Sequence, residues 1–242
     1  MPHEDHSDMG LETLRRMSVL DGYNRWVVSE ILPYVGNIVL EVGSGIGNLS
    51  PFFLDRKALI LTDVNDDYLS RLGEAFRKYS HVTCERYDLE GSGEHLRNRG
   101  VDTIIALNVL EHIVNDVHAL SEMAAILVPG GRVILQLPAH GMLYGSLDRH
   151  IDHHRRYSVR DIREKLEKAG FVPEYISHFN MFGAVGWFVC SRILKKKILP
   201  EDSLTLFNVL TPLFAAVERV VQVPFGLSVI AVGRKKPDAE LL

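Results

Sequence analysis

The chain has 242 residues, 46% hydrophobic and 24% charged, with a formal net charge of −4. That length suits one α/β domain with a sizeable core, and the acidic balance gives no support for a nucleic-acid surface. Two cysteines, Cys84 and Cys190, form neither a disulfide framework nor a CxxC pair, so a buried free thiol in a reducing compartment is expected.

The opening MPHEDHSDMG is polar, with no apolar signal core, and predicts an intracellular protein whose His3 and His6 lie in a disordered leader. Residues 11–20 and 23–34 read as helices, the second with Trp26, Val27, Ile31 and Leu32 on its apolar face. A first strand ends at Val42, a helix over 48–54 follows a glycine turn, and a second strand ends at Thr62. Asn65 or Asp66 then caps a helix carrying Tyr68, Leu69, Leu72 and Phe76. Strands follow at 81–87 and 101–107, the latter nearly all apolar as a central parallel strand should be. A helix over 115–127 stops at Pro129-Gly130-Gly131, and a fifth strand covers 132–137. Ser158 caps a helix ending near Gly170, followed by a strand over 171–177 and a last strand over 226–232. Seven strands with interposed helices predict a doubly wound, Rossmann-like α/β sheet. The organisation expected is a helical cap (1–35), a cofactor-binding half (36–137), an acceptor and lid region (138–224) and the last strand (225–235).

Residues 38–63, IVLEVGSGIGNLSPFFLDRKALILTD, carry the most information. A strand runs into glycines 43, 45 and 47, and a second strand ends at Asp63. Glycines at such a turn let the backbone approach a ligand, and an acid about 20 residues on suits a ribose diol. Two details decide against a dinucleotide. The sixth position of the fingerprint is Asn48, and Glu41 sits where its charge would repel a pyrophosphate yet pair with a cationic amino group.

E-x-G-x-G-x-G followed by Asp63 resembles motifs I and II of the class I S-adenosylmethionine-dependent methyltransferases. The resemblance implies that the glycine loop meets the methionine part of the cofactor and that Asp63 holds the ribose. It also implies an antiparallel seventh strand, Asp88 against the adenine amino group, and Leu89 on the ring. Asn108-Val109-Leu110-Glu111-His112 resembles the loop beneath the methionine part, with Asn108 a cofactor contact and Glu111 and His112 fixing the loop. The expected cofactor site is thus Glu41, Gly43, Gly45, Gly47, Asp63, Asp88, Leu89 and Asn108.

Chemistry is expected from 138–157, PAHGMLYGSLDRHIDHHRRY, which follows the fifth strand and overhangs the pocket. It resembles a subgroup of small-molecule methyltransferases. His150, His153 or His154 is the expected base, and Tyr144, Arg155, Arg156 and Tyr157 are expected to shape the acceptor pocket. The arginines compete for a second role, holding the loop through Asp148 or Asp152. The spacing of Asp148, His150, Asp152, His153 and His154 matches no zinc pattern, and no metal is expected.

Residues 176–224 hold two apolar runs flanking Lys195-Lys196-Lys197. Neither resembles a spanning helix, and a lid, a dimer face or a membrane-resting surface is expected. The reading is a cytoplasmic methyltransferase for a small-molecule hydroxyl, on a sugar, lipid-linked or secondary-metabolite acceptor. Its rivals are a non-catalytic S-adenosylmethionine-binding scaffold and an NAD-dependent oxidoreductase.

Overall fold

The computed structural model describes residues 11–12, 14–196, 201–221 and 224–237. His3, His6 and Lys197 lie outside them. A seven-stranded sheet has the order β3-β2-β1-β4-β5-β7-β6. Its strands are β1 (Ile38–Val42), β2 (Ala58–Asp63), β3 (Val82–Arg86), β4 (Thr103–Leu107), β5 (Arg132–Pro138), β6 (Phe171–Phe179) and β7 (Ser228–Lys235). The first five pair in parallel, and β7 slots antiparallel between β5 and β6.

Alternation builds a core on each face of the sheet. Leu40, Ile104, Val133 and Ala231 join one apolar cluster; their neighbours Val39, Ile105, Ile134 and Val232 join the other. The first cluster is closed by α3 (Asp116–Ile126) and α5 (Val159–Lys168). The second is closed by α1 (Asp21–Ile31) and α2 (Asp66–Phe76). Asn65 caps α2 by accepting from the N–H groups of Asp67 and Tyr68, and Ser158 caps α5 through that of Asp161. The post-β5 segment holds a short helix, α4 (Ser146–His150), and α6 (Met181–Phe188) follows β6.

Three expectations change. No α-helix follows the glycine loop: a 3-10 helix, Ser50–Phe53, takes the place of the helix expected over 48–54. Ten residues separate Gly47 from β2, and they must also contain the return to that strand; Pro51 adds a missing N–H. The last strand is displaced from 226–232 to Ser228–Lys235. Gly226 sits so close to Phe179 that a Cβ would lie 2.3 Å from its carbonyl oxygen. At the other end Glu174 pairs with Arg234 (2.8 Å) and Arg132 (2.6 Å), so the strand continues past its apolar run. Finally, the second apolar run forms a 20-residue helix, α7 (Glu201–Val220), long and apolar enough to cross a membrane by length and composition alone. It is tethered to the domain: Asn208 accepts from the Gly22 N–H (3.0 Å), and Glu218 accepts from the N–H groups of Asn180 and Met181. Leu206, Val209 and Leu213 on α7 remain exposed.

Candidate active site

The carboxyl ends of β1, β2 and β4 gather the glycine loop, Asp63 and Asn108. Gly43, Gly45 and Gly47 have φ of 68°, 57° and 83°, the left-handed region that favours glycine. A Cβ on Gly43 would lie 2.6 Å from Val109 of the post-β4 loop, so that position also requires the missing side chain. Asp63 closes the loop: Oδ2 accepts from the Gly45 N–H and Oδ1 from the Asn65 N–H, each at 2.9 Å. Glu41 is buried, and its Oε2 accepts a 2.6 Å hydrogen bond from the Ser50 hydroxyl. Burial, reinforced by the Asp63 carboxylate, pushes Glu41 up to about 7 against the pull of that hydrogen bond. A buried acid so placed is complementary to a ligand cation, and the three glycines and Asp63 leave backbone and carboxylate for a polar ligand. This donor set fits S-adenosylmethionine.

Asn108 stands at the tip of β4 with φ 55° and an exposed side chain. Asp88 is exposed, with Oδ1 accepting from the Glu90 N–H in a turn of its own making. Leu89 is 3% exposed and belongs to the core cluster, so in this conformation it faces the core rather than a ligand ring.

Residues 40–133 match the family described as a methyltransferase domain. That stretch, from β1 to the start of β5, therefore carries the sequence pattern of a methyltransferase domain. The chain shares this fold with an S-adenosylmethionine-dependent methyltransferase of Mesorhizobium loti (TM-score 0.61, 18% identity, 89% of this chain and 100% of that one). It shares it also with a geranyl diphosphate methyltransferase solved in complex with S-adenosylmethionine (TM-score 0.62, 12% identity, 89% and 85%). A third likeness is to the CMeT domain of the citrinin polyketide synthase (TM-score 0.53, 13% identity, 84% and 47%). In sequence, 108 residues are 33% identical to a highly reducing polyketide synthase of Strobilurus tenacellus, covering 40% of this chain. The chain spans only 4% of that relative's length.

The post-β5 segment is where the structure departs most from the expected roles. Arg155 pairs with Asp116 (2.9 Å) and donates to the Val114 carbonyl. Arg156, its side chain 1% exposed, pairs with Asp148 at 2.7 Å and donates to the Ala139 carbonyl. Tyr157 is buried and donates its hydroxyl toward Leu110 O and Asp116. Arg155 and Tyr157 hold the segment against the post-β4 loop and the start of α3, and Arg156 ties it to itself through Asp148, the second role expected of the arginines. Tyr144 likewise donates to the His153 carbonyl. His153 is closed in at 7% exposure, while His154 is exposed and only its backbone N–H reaches back, to Glu111 O. His150, half-exposed, ends α4.

One residue of this segment emerges only in three dimensions. His140 adopts φ 57°, and its Nε2 is buried without a hydrogen-bond partner among the described residues. Its ring stacks on His178 (4.8 Å between centroids, 20°) and lines a cavity of about 260 Å³ with Leu143, Ala184, Val185, Phe188 and Phe225. The sequence signal was present but masked, because four histidines in fifteen residues gave no reason to prefer the first.

Proposed function

We propose that the protein transfers a methyl group to a hydroxyl of a small acceptor with an apolar body, and that His140 is the general base. The pocket beside His140 carries the reading: its ring lines a wall of apolar side chains, and its Nε2 has no hydrogen-bond partner among the described residues. His150, His153 and His154 are less suited, the outer two by exposure and His153 by its enclosure. When bound, the cofactor supplies an electrophilic methyl group and a neutral thioether leaving group. The protein's part is to hold, align and keep dry. Glu41 would pair with the cofactor's amino group, Asp63 with its ribose, and Gly43, Gly45 and Gly47 would admit it closely; Asp88 and Asn108 are further contacts. The apolar wall would exclude water and fix the acceptor, and His140 Nε2 would accept its hydroxyl proton.

The exposed face of α7, with Val185, Val189 and Ile193 before it and Lys195 and Lys196 alongside in sequence, supports an acceptor drawn from a cytoplasmic anionic lipid surface. Co-sedimentation with phosphatidylserine vesicles, weakened by Lys195→Glu with Lys196→Glu, is expected; a parent protein that stays in the supernatant removes this part. A second reading, a carbon acceptor, draws on the likeness in fold to the CurJ carbon methyltransferase.

The deciding experiment follows labelled methyl from S-adenosylmethionine into a panel of long-chain hydroxyl and β-dicarbonyl acceptors. O-methyl product, slowed about 10²–10⁴-fold by His140→Ala, is expected. C-methyl product selects the second reading. Calorimetry of S-adenosylhomocysteine on the wild type and Asp63→Ala checks the cofactor assignment separately.

A further inference from the structure

The loops after β4 and β5 bring together three side chains of ligating type that lie far apart in sequence. Glu111, His112 and His153 each offer one ligand atom within 4.8 Å of the other two. Glu111 is fully buried, and neither of its carboxylate oxygens has a hydrogen-bond partner among the described residues. Leaving a buried carboxylate unpaired is costly, so what faces it matters.

What faces it is an acceptor. His153 Nε2 lies 3.6 Å from Glu111 Oε1, beyond hydrogen-bond length. The other ring nitrogen, Nδ1, lies 3.1 Å from Asp148 Oδ1. Asp148 also accepts from Arg156 Nε (2.7 Å) and the Gly145 N–H (2.9 Å), so it acts as an ionised acceptor throughout. The hydrogen of a neutral ring therefore belongs on Nδ1, and Nε2 turns a lone pair toward the carboxylate. A carboxylate behind one nitrogen of a histidine and a free lone pair in front is how metal-bound histidines are held.

We propose that Glu111, His112 and His153 bind one divalent transition-metal ion. One carboxylate and two imidazoles suit zinc, manganese, iron(II) or cobalt better than magnesium or calcium, which prefer oxygen alone. Ligand atoms around a tetrahedral ion stand about 3.4 Å apart at bonds of about 2.1 Å. The Glu111–His153 separation is already near that value, and the His112 ring lies edge-on to that of His153, 4.9 Å between centroids. From the run 148–154, whose spacing predicts no metal, the fold recruits only His153.

The site goes beyond the methyl-transfer reading and is tested without a methyl donor or acceptor. Chelator-stripped full-length protein is titrated with cobalt(II) while visible absorption is followed, and with zinc by calorimetry. One ion per chain is expected, with affinity reduced about 10–100-fold or more in His153→Ala and Glu111→Gln and kept in His150→Ala and His154→Ala. If a buried variant fails to fold by circular dichroism, His112→Ala, at an exposed position, takes its place. A wild type that takes up no stoichiometric cobalt, or binding unchanged in His112→Ala and Glu111→Gln, overturns the proposal and leaves a proton between the two acceptors.

Discussion

Glu41 and Ser50 are both buried, and the Ser50 hydroxyl donates to the Glu41 carboxylate at 2.6 Å. This pair makes a pocket for positive charge with a proton already in it over part of the pH range, because burial pushes Glu41 up to about 7. Binding a cationic amino group favours the ionised carboxylate. Binding of S-adenosylhomocysteine at pH 6 should therefore release a proton, and affinity should rise with pH and level off above about 7. Calorimetry in two buffers of different ionisation enthalpy reads the proton directly. Glu41→Gln should abolish the release and weaken binding on the order of ten- to a hundredfold.

The same shift has a consequence for stability. Between 4.5 and about 7 the folded chain holds a proton on Glu41 that the unfolded chain has lost. The Glu41 contribution thus weakens the fold as pH rises through that window. Denaturant unfolding of Glu41→Gln should lack that part of the slope.

His140 offers a check on the base assignment that does not depend on acceptor identity. Burial first, and the Arg156 charge second, hold its ring below the ordinary histidine range. A lowered value means that the neutral, proton-accepting ring prevails at neutral pH. Single-turnover rates should climb with pH in the acid range, with a midpoint below the ordinary histidine value, and level off above it. His140→Ala should remove that limb; a limb unchanged in the variant assigns it to another group.

Asp116 ties the post-β5 segment to α3. It accepts from Arg155 Nη1 (2.9 Å), Lys165 Nζ (2.9 Å) and the Tyr157 hydroxyl (3.0 Å). Burial works to raise this carboxyl, but Lys165, Tyr157 and Arg155 overcome it and hold the group low. Its contribution to stability is therefore present above the ordinary aspartate range and lost as pH falls through the lowered value. Tyr157→Phe should cost about 1–2 kcal/mol, roughly 2–8 °C in melting temperature. Acceptor KM should stay unchanged, and calorimetric scanning beside initial-rate kinetics separates the two effects. Asp116→Asn should flatten the acid limb of the stability curve.

The glycine loop, Asp63 and the succession of strands along the chain could be read from the sequence because each depends on local patterning; the antiparallel β7 is implied by the resemblance alone, and the order of strands across the sheet comes from the structure. Alternating apolar runs give strands, and glycines give the turn. The post-β5 segment could not be read that way. Asp148, Arg155, Arg156 and Tyr157 look like a functional cluster because they are polar, close together and placed after a strand. Their partners, Asp116, Val114, Ala139 and Leu110, lie 17 to 47 positions away. Charge alone does not say whether an arginine faces a ligand or a buried aspartate. The strand β7 shows the same limit: apolarity ends at Val232, but Glu174 between two arginines carries the ladder to Lys235.

The helical stretch at 14–18 lies on the glycine loop, with Asn48 Nδ2 donating to the Leu14 carbonyl at 2.9 Å and Leu14 against Gly45. This contact covers the loop that the proposed cofactor meets, so its strength is expected to govern exchange. Asn48→Ala removes one net hydrogen bond, about 1 kcal/mol, from the closed arrangement. S-adenosylhomocysteine should then associate and dissociate about fivefold faster in stopped-flow fluorescence, with overall stability nearly unchanged. Leu14→Ala should act in the same direction, because its side chain touches the loop directly. Unaltered rates in both variants would mean that the cofactor enters from the Asn108 side, and that the 14–18 helix is a fixed wall of the site.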